Sequence, residues 1–213
     1  MAFDKLFHFM TKPWVVLLYF GFIAGLILCC DRPFTDYFFN LDLRAHLPFL
    51  SLVTRLGLSI FYFPTFLFLV LFFRFIFTHR QWEARAVFML LSLVIPAVIC
   101  TLLKSTLGRA RPNLLIYENV YGFYGFKWDA EYWSCPSGHT TTIFSVMLAL
   151  SVLFPRYFVG FFLTGVFVAL SRVFLTHHYL SDVMISFYLV LLEIGCLVYV
   201  LRKKDWLIPV WRR

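Results

Sequence analysis

Long apolar runs, broken by short charged stretches, set the pattern of this chain. A membrane-spanning helix needs about 20 mostly apolar residues. Six runs fit or approach that length: Trp14–Cys30, Ser59–Thr78, Ala86–Leu103, His139–Phe154, Tyr157–Leu170 and Asp182–Leu201. The first lies between Lys12-Pro13 and Asp31-Arg32-Pro33, and the last stops at Arg202-Lys203-Lys204. Arg74 sits near the end of the second run, where its long side chain can snorkel. The fourth run is short and polar at its start. The expected architecture is all-α: a polytopic membrane helical bundle with six transmembrane helices, forming a single membrane-embedded domain over residues 1–213. Two segments are too polar to cross. Phe34–Leu58 is expected to be an outer loop with an interfacial amphipathic helix over Leu47–Leu58. Ser105–Gly138 is the longest polar-rich stretch, and a loop of that length in a compact protein is usually functional. No repeat or low-complexity tract interrupts the pattern.

Composition agrees with a membrane protein. Of 213 residues, 62% are hydrophobic and 14% charged, against about 45–50% and about 25% in soluble domains. Twenty-eight Phe and six Trp would leave large apolar patches on any wetted surface. Disorder, a collagenous chain and a soluble nucleic-acid-binding domain are thereby excluded. The net charge of +8 suits cytoplasmic anchoring and anionic lipid rather than a nucleic acid. Five Cys without a CxxC pair or metal spacing indicate neither a disulfide scaffold nor a zinc site. With both termini inside, eleven basic residues fall inside and eight outside, so the expected topology is N-in/C-in. Trp14, Trp82, Trp206 and Trp211 then lie at the inner interface, and Arg212 and Arg213 join the inner basic cluster. The first run is longer than a signal peptide's roughly 7–15-residue apolar region and lacks an A-x-A site, so cleavage is not expected. Leu28 is also the wrong size for a lipoprotein-type cleavage box before Cys29.

Three clusters carry chemistry. Lys104-(six)-Arg111-Pro112 ends the third run; the two cations are two helical turns apart and share a face while the helix persists. A snorkelling basic stop is the plain alternative. Cys135-Pro136-Ser137-Gly138-His139-Thr140 opens the fourth run with a tight turn, and the unpaired N–H groups of the helix start make an anion site. An ordinary N-cap with an interfacial His is the alternative. Ser171-Arg172-(five)-His178-(three)-Asp182 leads into the sixth run. His178 and Asp182 stand four apart, so a carboxylate can hold the imidazole N–H and leave the other nitrogen nucleophilic. His177 faces elsewhere and reads as a solvent or interface histidine. All three clusters fall on one side of the membrane. Three cations around a helix N-terminus describe a phosphate site. Two His and an Asp describe covalent phosphoryl transfer with acid–base help.

Lys104-(six)-Arg111-Pro112, Pro136-Ser137-Gly138-His139 and Ser171-Arg172-(five)-His178-(three)-Asp182 together resemble the signature of the type 2 phosphatidic acid phosphatase family, shared with vanadium haloperoxidases and bacterial acid phosphatases. The resemblance spans residues 104–182, and the Tyr121–Phe126 stretch is similar to some bacterial members. It implies a helical-bundle phosphatase with no metal or other cofactor and a site on the outer face. In that family pattern His178 attacks phosphorus and Asp182 orients it. His139 protonates the leaving oxygen and then activates water. Lys104, Arg111 and Arg172 neutralise the phosphate oxygens, with Ser137 and the Gly138 N–H adding hydrogen bonds.

Arg109 lies outside the pattern and reads as a headgroup or rim residue, while Glu193 is expected to pair within the bundle. The expected partner is a lipid phosphate: polyprenyl diphosphate, phosphatidylglycerol phosphate, phosphatidic acid or a lipid A phosphate. No obligatory protein partner is evident. Short loops and the absence of an N-x-Ser/Thr sequon suit a bacterial inner membrane. A lipid-to-lipid phosphotransferase would use the same residues. A non-catalytic transporter fits less well, because every motif residue is present and no internal repeat or broken helix pair is found.

Overall fold

In the computed structural model, residues 2–207 and residue 210 are described. The expectations for Trp211, Arg212 and Arg213 lie outside the described residues. The described chain is mostly helical, with isolated bridges from Arg109 to Phe123 and Trp133 but no strand among the described residues. Five helical stretches are long and apolar enough to cross a membrane: Pro13–Leu41, Pro48–Ile76, Arg80–Leu107, Pro155–Phe174 and Leu180–Lys203. Gly138–Leu153 is apolar but has only 16 residues, about 24 Å at 1.5 Å per residue. Large apolar side chains such as Leu17, Leu28, Phe61 and Phe75 point outward, as expected of an exterior that faces hydrocarbon. This is an integral membrane protein.

Chain order begins with a short helix that the hydrophobic pattern did not announce, α1 (Ala2–Met10). It docks against the last helix: Phe7 fills the space beside Gly195, and Asp4 pairs with Arg202 at 3.0 Å. Next come α2 (Pro13–Gly25), a π-helical turn (Leu26–Cys30) and α3 (Asp31–Leu41). The first span therefore does not stop at Asp31-Arg32-Pro33. Pro33 lacks an N–H and crowds the preceding turn. The wider π turn just before it is where such crowding is relieved.

The segment expected to be an outer loop is also helical: α3, α4 (Leu43–His46), α5 (Pro48–Val53) and a 3₁₀ turn (Thr54–Gly57) lead directly into α6 (Ser59–Leu71). Leu50, Val53, Thr54 and Gly57 turn inward, and Phe49, Leu52, Arg55 and Leu56 turn outward. The outer face is thus largely apolar, as lipid rather than water can cover it, and Arg55 alone gives it a charged, amphipathic character.

After α6 and a π turn (Phe72–Ile76), α7 (Arg80–Leu107) runs the full height of the bundle. It is followed by α8 (Pro112–Glu118), a 3₁₀ turn (Ala130–Tyr132), α9 (Gly138–Leu153), a 3₁₀ turn (Pro155–Tyr157), α10 (Phe158–Phe174) and α11 (Leu180–Lys203). The shortest of the continuous apolar helical stretches, α9, is the central one. α9 packs against α7, α10 and α11, and Ile143, Leu148, Val190, Leu191 and Ile194 are fully buried around it. Its N-terminus is thus enclosed by the ends of three neighbours. The 105–137 segment closes over that end as an ordered cap, with Lys127, Tyr124 and Ser134 N–H groups donating to the carbonyls of Ser105, Gly108 and Arg109.

Candidate active site

α7 ends where Gly108 adopts the left-handed conformation, with φ of 54°. A side chain is barred there, because a Cβ would lie 1.9 Å from the Gly125 carbonyl oxygen. The turn means that Lys104 and Arg111 do not share a helical face, as the spacing alone suggested. Lys104 stays on α7, whereas Arg111 stands just before α8, whose first residue is Pro112. They converge across the turn instead. Lys104 Nζ donates to the Trp133 carbonyl at 3.0 Å and lies over the start of α9, beside Gly138. Arg111 Nε donates to the Ala130 carbonyl at 2.8 Å. Arg172, near the end of α10 and almost buried, donates from Nη1 to Thr54 Oγ1 at 2.9 Å. Its Nε is buried without a partner among the described residues. None of these three cations pairs with a carboxylate among the described residues.

Ser137 is the N-cap of α9 and is fully buried; its Oγ accepts from the Thr140 N–H at 3.5 Å, and its own N–H donates to Ser186 Oγ at 2.6 Å. Gly138 is the first residue of the helix. His139 follows, covered by Gly57, where even a methyl group would come within 2.8 Å of the His139 Cβ. The segment that precedes α6 therefore touches the site twice, through Thr54 and through Gly57. Neither residue stood out in the sequence, because a Thr and a Gly in an apolar run carry no chemical signal.

His178 lies just before α11, so the helical-face argument that linked it to Asp182 does not apply. The two are close, with Nδ1 and Oδ2 3.8 Å apart. The hydrogen bond goes elsewhere: Nδ1 lies 2.8 Å from the Ser134 carbonyl. A carbonyl only accepts, so Nδ1 carries the proton, and in the neutral ring Nε2 keeps its lone pair. Burial, with Lys104 and Arg172 nearby, pushes this imidazole down to about 3 despite the opposing influence of Asp182. It is neutral near pH 7. Asp182 reaches back from α11 to accept from the Tyr179 N–H at 3.0 Å and from Ser134 Oγ at 2.6 Å.

Arg109 overturns its expected place at the rim. It is fully buried. Nη1 donates to Asp182 Oδ1 and, at 2.7 Å, to Ser181 Oγ; Nη2 donates to Asp31 Oδ2 at 2.8 Å and to Tyr121 Oη at 3.2 Å. The Tyr179 ring lies 4.5 Å away and the Phe123 ring 5.0 Å. Burial works against the charge of Arg109, but Asp182 and Asp31 override it and raise its pKa. Asp31 is buried too and also accepts from the Ser181 N–H at 3.2 Å and from Ser181 Oγ. One signal in the sequence pointed here: a carboxylate at the end of an apolar run is costly at membrane depth without a partner.

His177 is half-buried, and its Nε2 meets Arg44 Nη2 at 2.8 Å. Burial and then the charges of Arg172, Arg44 and Arg111 push it down to about 3. Glu193 does not find the partner expected of it; its Oε2 is buried with none among the described residues. It stands eleven residues along α11 from Asp182, about 16 Å of helix, and has no part in the site. No group of three His, Cys, Asp or Glu disposed to hold a metal occurs among the described residues.

Residues 85–206, more than half of the chain, match the family model of the PAP2 superfamily. The chain is similar to proteins named lipid A 1-phosphatase from Rhizobium etli (37% identical over 92 residues) and Rhizobium johnstonii (34% over 96 residues). Those matches take in 43% and 45% of this chain, and it spans only about 40% of the relatives' length. A crystal structure titled as the first transmembrane PAP2 type phosphatidylglycerolphosphate phosphatase, from Bacillus subtilis, shares the fold. Its TM-score is 0.59 at 20% identity, covering 88% of this chain and 94% of that one. The chain belongs to the PAP2 superfamily.

Proposed function

We propose that this PAP2 chain is a metal-independent phosphatase that removes phosphate from a membrane lipid through a phosphohistidine on His178. One observation carries the reading. Lys104, Arg111 and Arg172 come from three separate parts of the chain to the start of α9, and each donates only to a neutral oxygen. Three cations bound to no carboxylate, beside helix N–H groups, suit a phosphate dianion. They also supply the charge that a metal would otherwise bring to the transition state.

In the proposed reaction the Nε2 lone pair of His178 attacks phosphorus in line. The bond from phosphorus to the ester or anhydride oxygen breaks, and that oxygen takes a proton from His139. Water then attacks the phosphohistidine, His139 takes the water's proton, and the P–N bond breaks to release phosphate. Asp182 steadies the positive charge that forms on His178. The Gly138 N–H sits at the start of α9, beside Lys104. Ser137, being buried and engaged as a cap, supports the turn from behind.

The chain is read as six spans with both termini in the cytoplasm, α9 crossing as the short central span, in a bacterial inner membrane with the site facing outward. Cys135 is fully buried, so a labelling test of this topology needs another thiol. Trp128→Cys in an otherwise Cys-free chain places one on the exposed cap. An impermeant maleimide reaches it in spheroplasts if the site faces outward and only after lysis if it does not.

The substrate is read as a lipid phosphate whose chains stay in the bilayer. The names of the relatives put a lipid A 1-phosphate and phosphatidylglycerol phosphate first in a panel that also holds polyprenyl diphosphate and phosphatidic acid. Purified protein is expected to release inorganic phosphate from at least one of them with EDTA present, and vanadate is expected to inhibit. Release that depends on added Mg²⁺, or transfer to a second lipid with no free phosphate, would overturn the reading.

A further inference from the structure

We propose that Asp31 and Arg109 are a positioning pair for the nucleophile, which makes the first span a working part of the active site; this rests on the phosphatase reading above. Arg109 links two carboxylates from opposite ends of the chain. Its guanidinium binds Asp182 through Nη1 and Asp31 through Nη2, and Ser181 Oγ ties the two arms by accepting from Nη1 and donating to Asp31. All four residues are buried. The backbone of Arg109 matters as well. Its carbonyl accepts from the Ser134 N–H at 3.1 Å, and Ser134 in turn gives its hydroxyl to Asp182 and its carbonyl to His178 Nδ1. One residue thus anchors both groups that face His178: the carboxylate and the carbonyl.

The charges explain why a second carboxylate is present. Arg109 and Asp182 alone would form a neutral pair and leave little field at His178. With Asp31 added, two carboxylates share one guanidinium, and the group keeps a net charge of about −1. That negative charge lies behind an imidazole whose other side faces Lys104 and Arg172. When Nε2 bonds to phosphorus the ring becomes cationic. The residual negative charge favours that step and opposes the unfavourable influence of the cations. A pair serving packing alone would not need to leave charge unbalanced.

The test uses the full chain, purified in detergent, with Asp31→Asn. Asn keeps the shape and can still accept from Ser181, but it removes the charge. The expected result is a fall in kcat of at least about tenfold with KM changed less than about threefold, because charge near the nucleophile acts on the transition state rather than on substrate binding. Vanadate, which mimics five-coordinate phosphorus, should bind about tenfold more weakly. Asp31→Glu, which restores the charge, should recover more of kcat than Asn keeps. If Asp31→Asn does not fold, Ser181→Ala is measured instead; it removes only the hydroxyl that joins the two ions and should shift kcat and vanadate binding in the same direction by less. Equal kcat and equal vanadate affinity in a folded Asp31→Asn or Ser181→Ala protein would overturn the pair's role. If the wild type releases phosphate from no lipid in the panel, the phosphatase reading falls, and vanadate binding still decides the role of Asp31 and Arg109.

Discussion

Arg109 and Arg111 stand two residues apart and end in opposite electrostatic surroundings. Arg111 belongs to a front layer with Lys104 and Arg172, where each cation touches a backbone carbonyl or a hydroxyl. Arg109 belongs to a back layer, buried and bound to two carboxylates. Arginine at membrane depth needs a partner in either case. What separates the layers is whether the partner cancels the charge. Neutral oxygens satisfy the hydrogen-bonding geometry of the front cations and leave their charge available to an anion. Carboxylates consume the charge of Arg109 and turn it into a structural tie. His178 sits between the layers, neutral, with its proton on the side of the Ser134 carbonyl.

The sharpest way to test the comparison is to remove what lies between the layers. His178→Ala should abolish phosphate release, a loss of at least about a thousandfold, while the protein still folds and inserts. His177→Ala should retain turnover, because His177 meets Arg44 at the mouth rather than Ser134 behind. The reverse pattern in a phosphate-release assay would mean that the other histidine is the nucleophile.

Breaking each layer in turn should give different failures. In the back layer, Arg109→Ala leaves two buried carboxylates unpaired, which costs about 3–5 kcal/mol. The expected readout is a large fall in melting temperature or loss of monodisperse protein on size-exclusion chromatography. In the front layer, Arg172→Ala should leave the melting temperature within a few degrees and lower kcat/KM by about 10²–10³-fold. Arg172→Lys should recover part of that loss by keeping the charge without the fork. Equal stability losses in the two variants would erase the distinction between the layers.

The smallest expected effect is on pH-dependent stability. His177 and His178 are held near 3, below the ordinary histidine value of 6.5. In the unfolded chain they take up protons as the pH falls through about 6.5; in the folded protein they do not until about 3. Unfolding therefore gains protons in that window, and stability falls as the pH is lowered from about 6.5 toward 3. Melting curves in detergent at pH 7 and pH 4.5 should separate by less in His177→Asn than in the wild type. An unchanged separation would mean that His177 does not titrate as described.

Much of this was legible from residue order. Hydrophobic run length marked five spans because hydrocarbon accepts little but apolar side chains, and the three motifs marked the candidate site because Lys, Arg, His and Asp are too costly at that depth to be incidental. Run length could not show that the chain continues as helix past Pro33, or that Thr54 and Gly57 of the 48–57 segment reach the candidate site. Nor could the i, i+4 rule place His178, since it assumes a helix that starts only at Leu180.

Which chemical groups the chain brings together was set by its sequence: residue types and spacing pointed to a membrane bundle and to a set of cations and histidines suited to phosphate. Which arginine does what was decided only by the tertiary structure. Arg109 and Arg111 are chemically identical and nearly adjacent in the chain. Their roles differ because folding brings Asp31, 78 residues earlier, and Asp182, 73 residues later, to one of them and neutral oxygens to the other. A hydrogen-bond partner that far away in sequence leaves no local pattern, and the charge it cancels can be read only once the helices are packed.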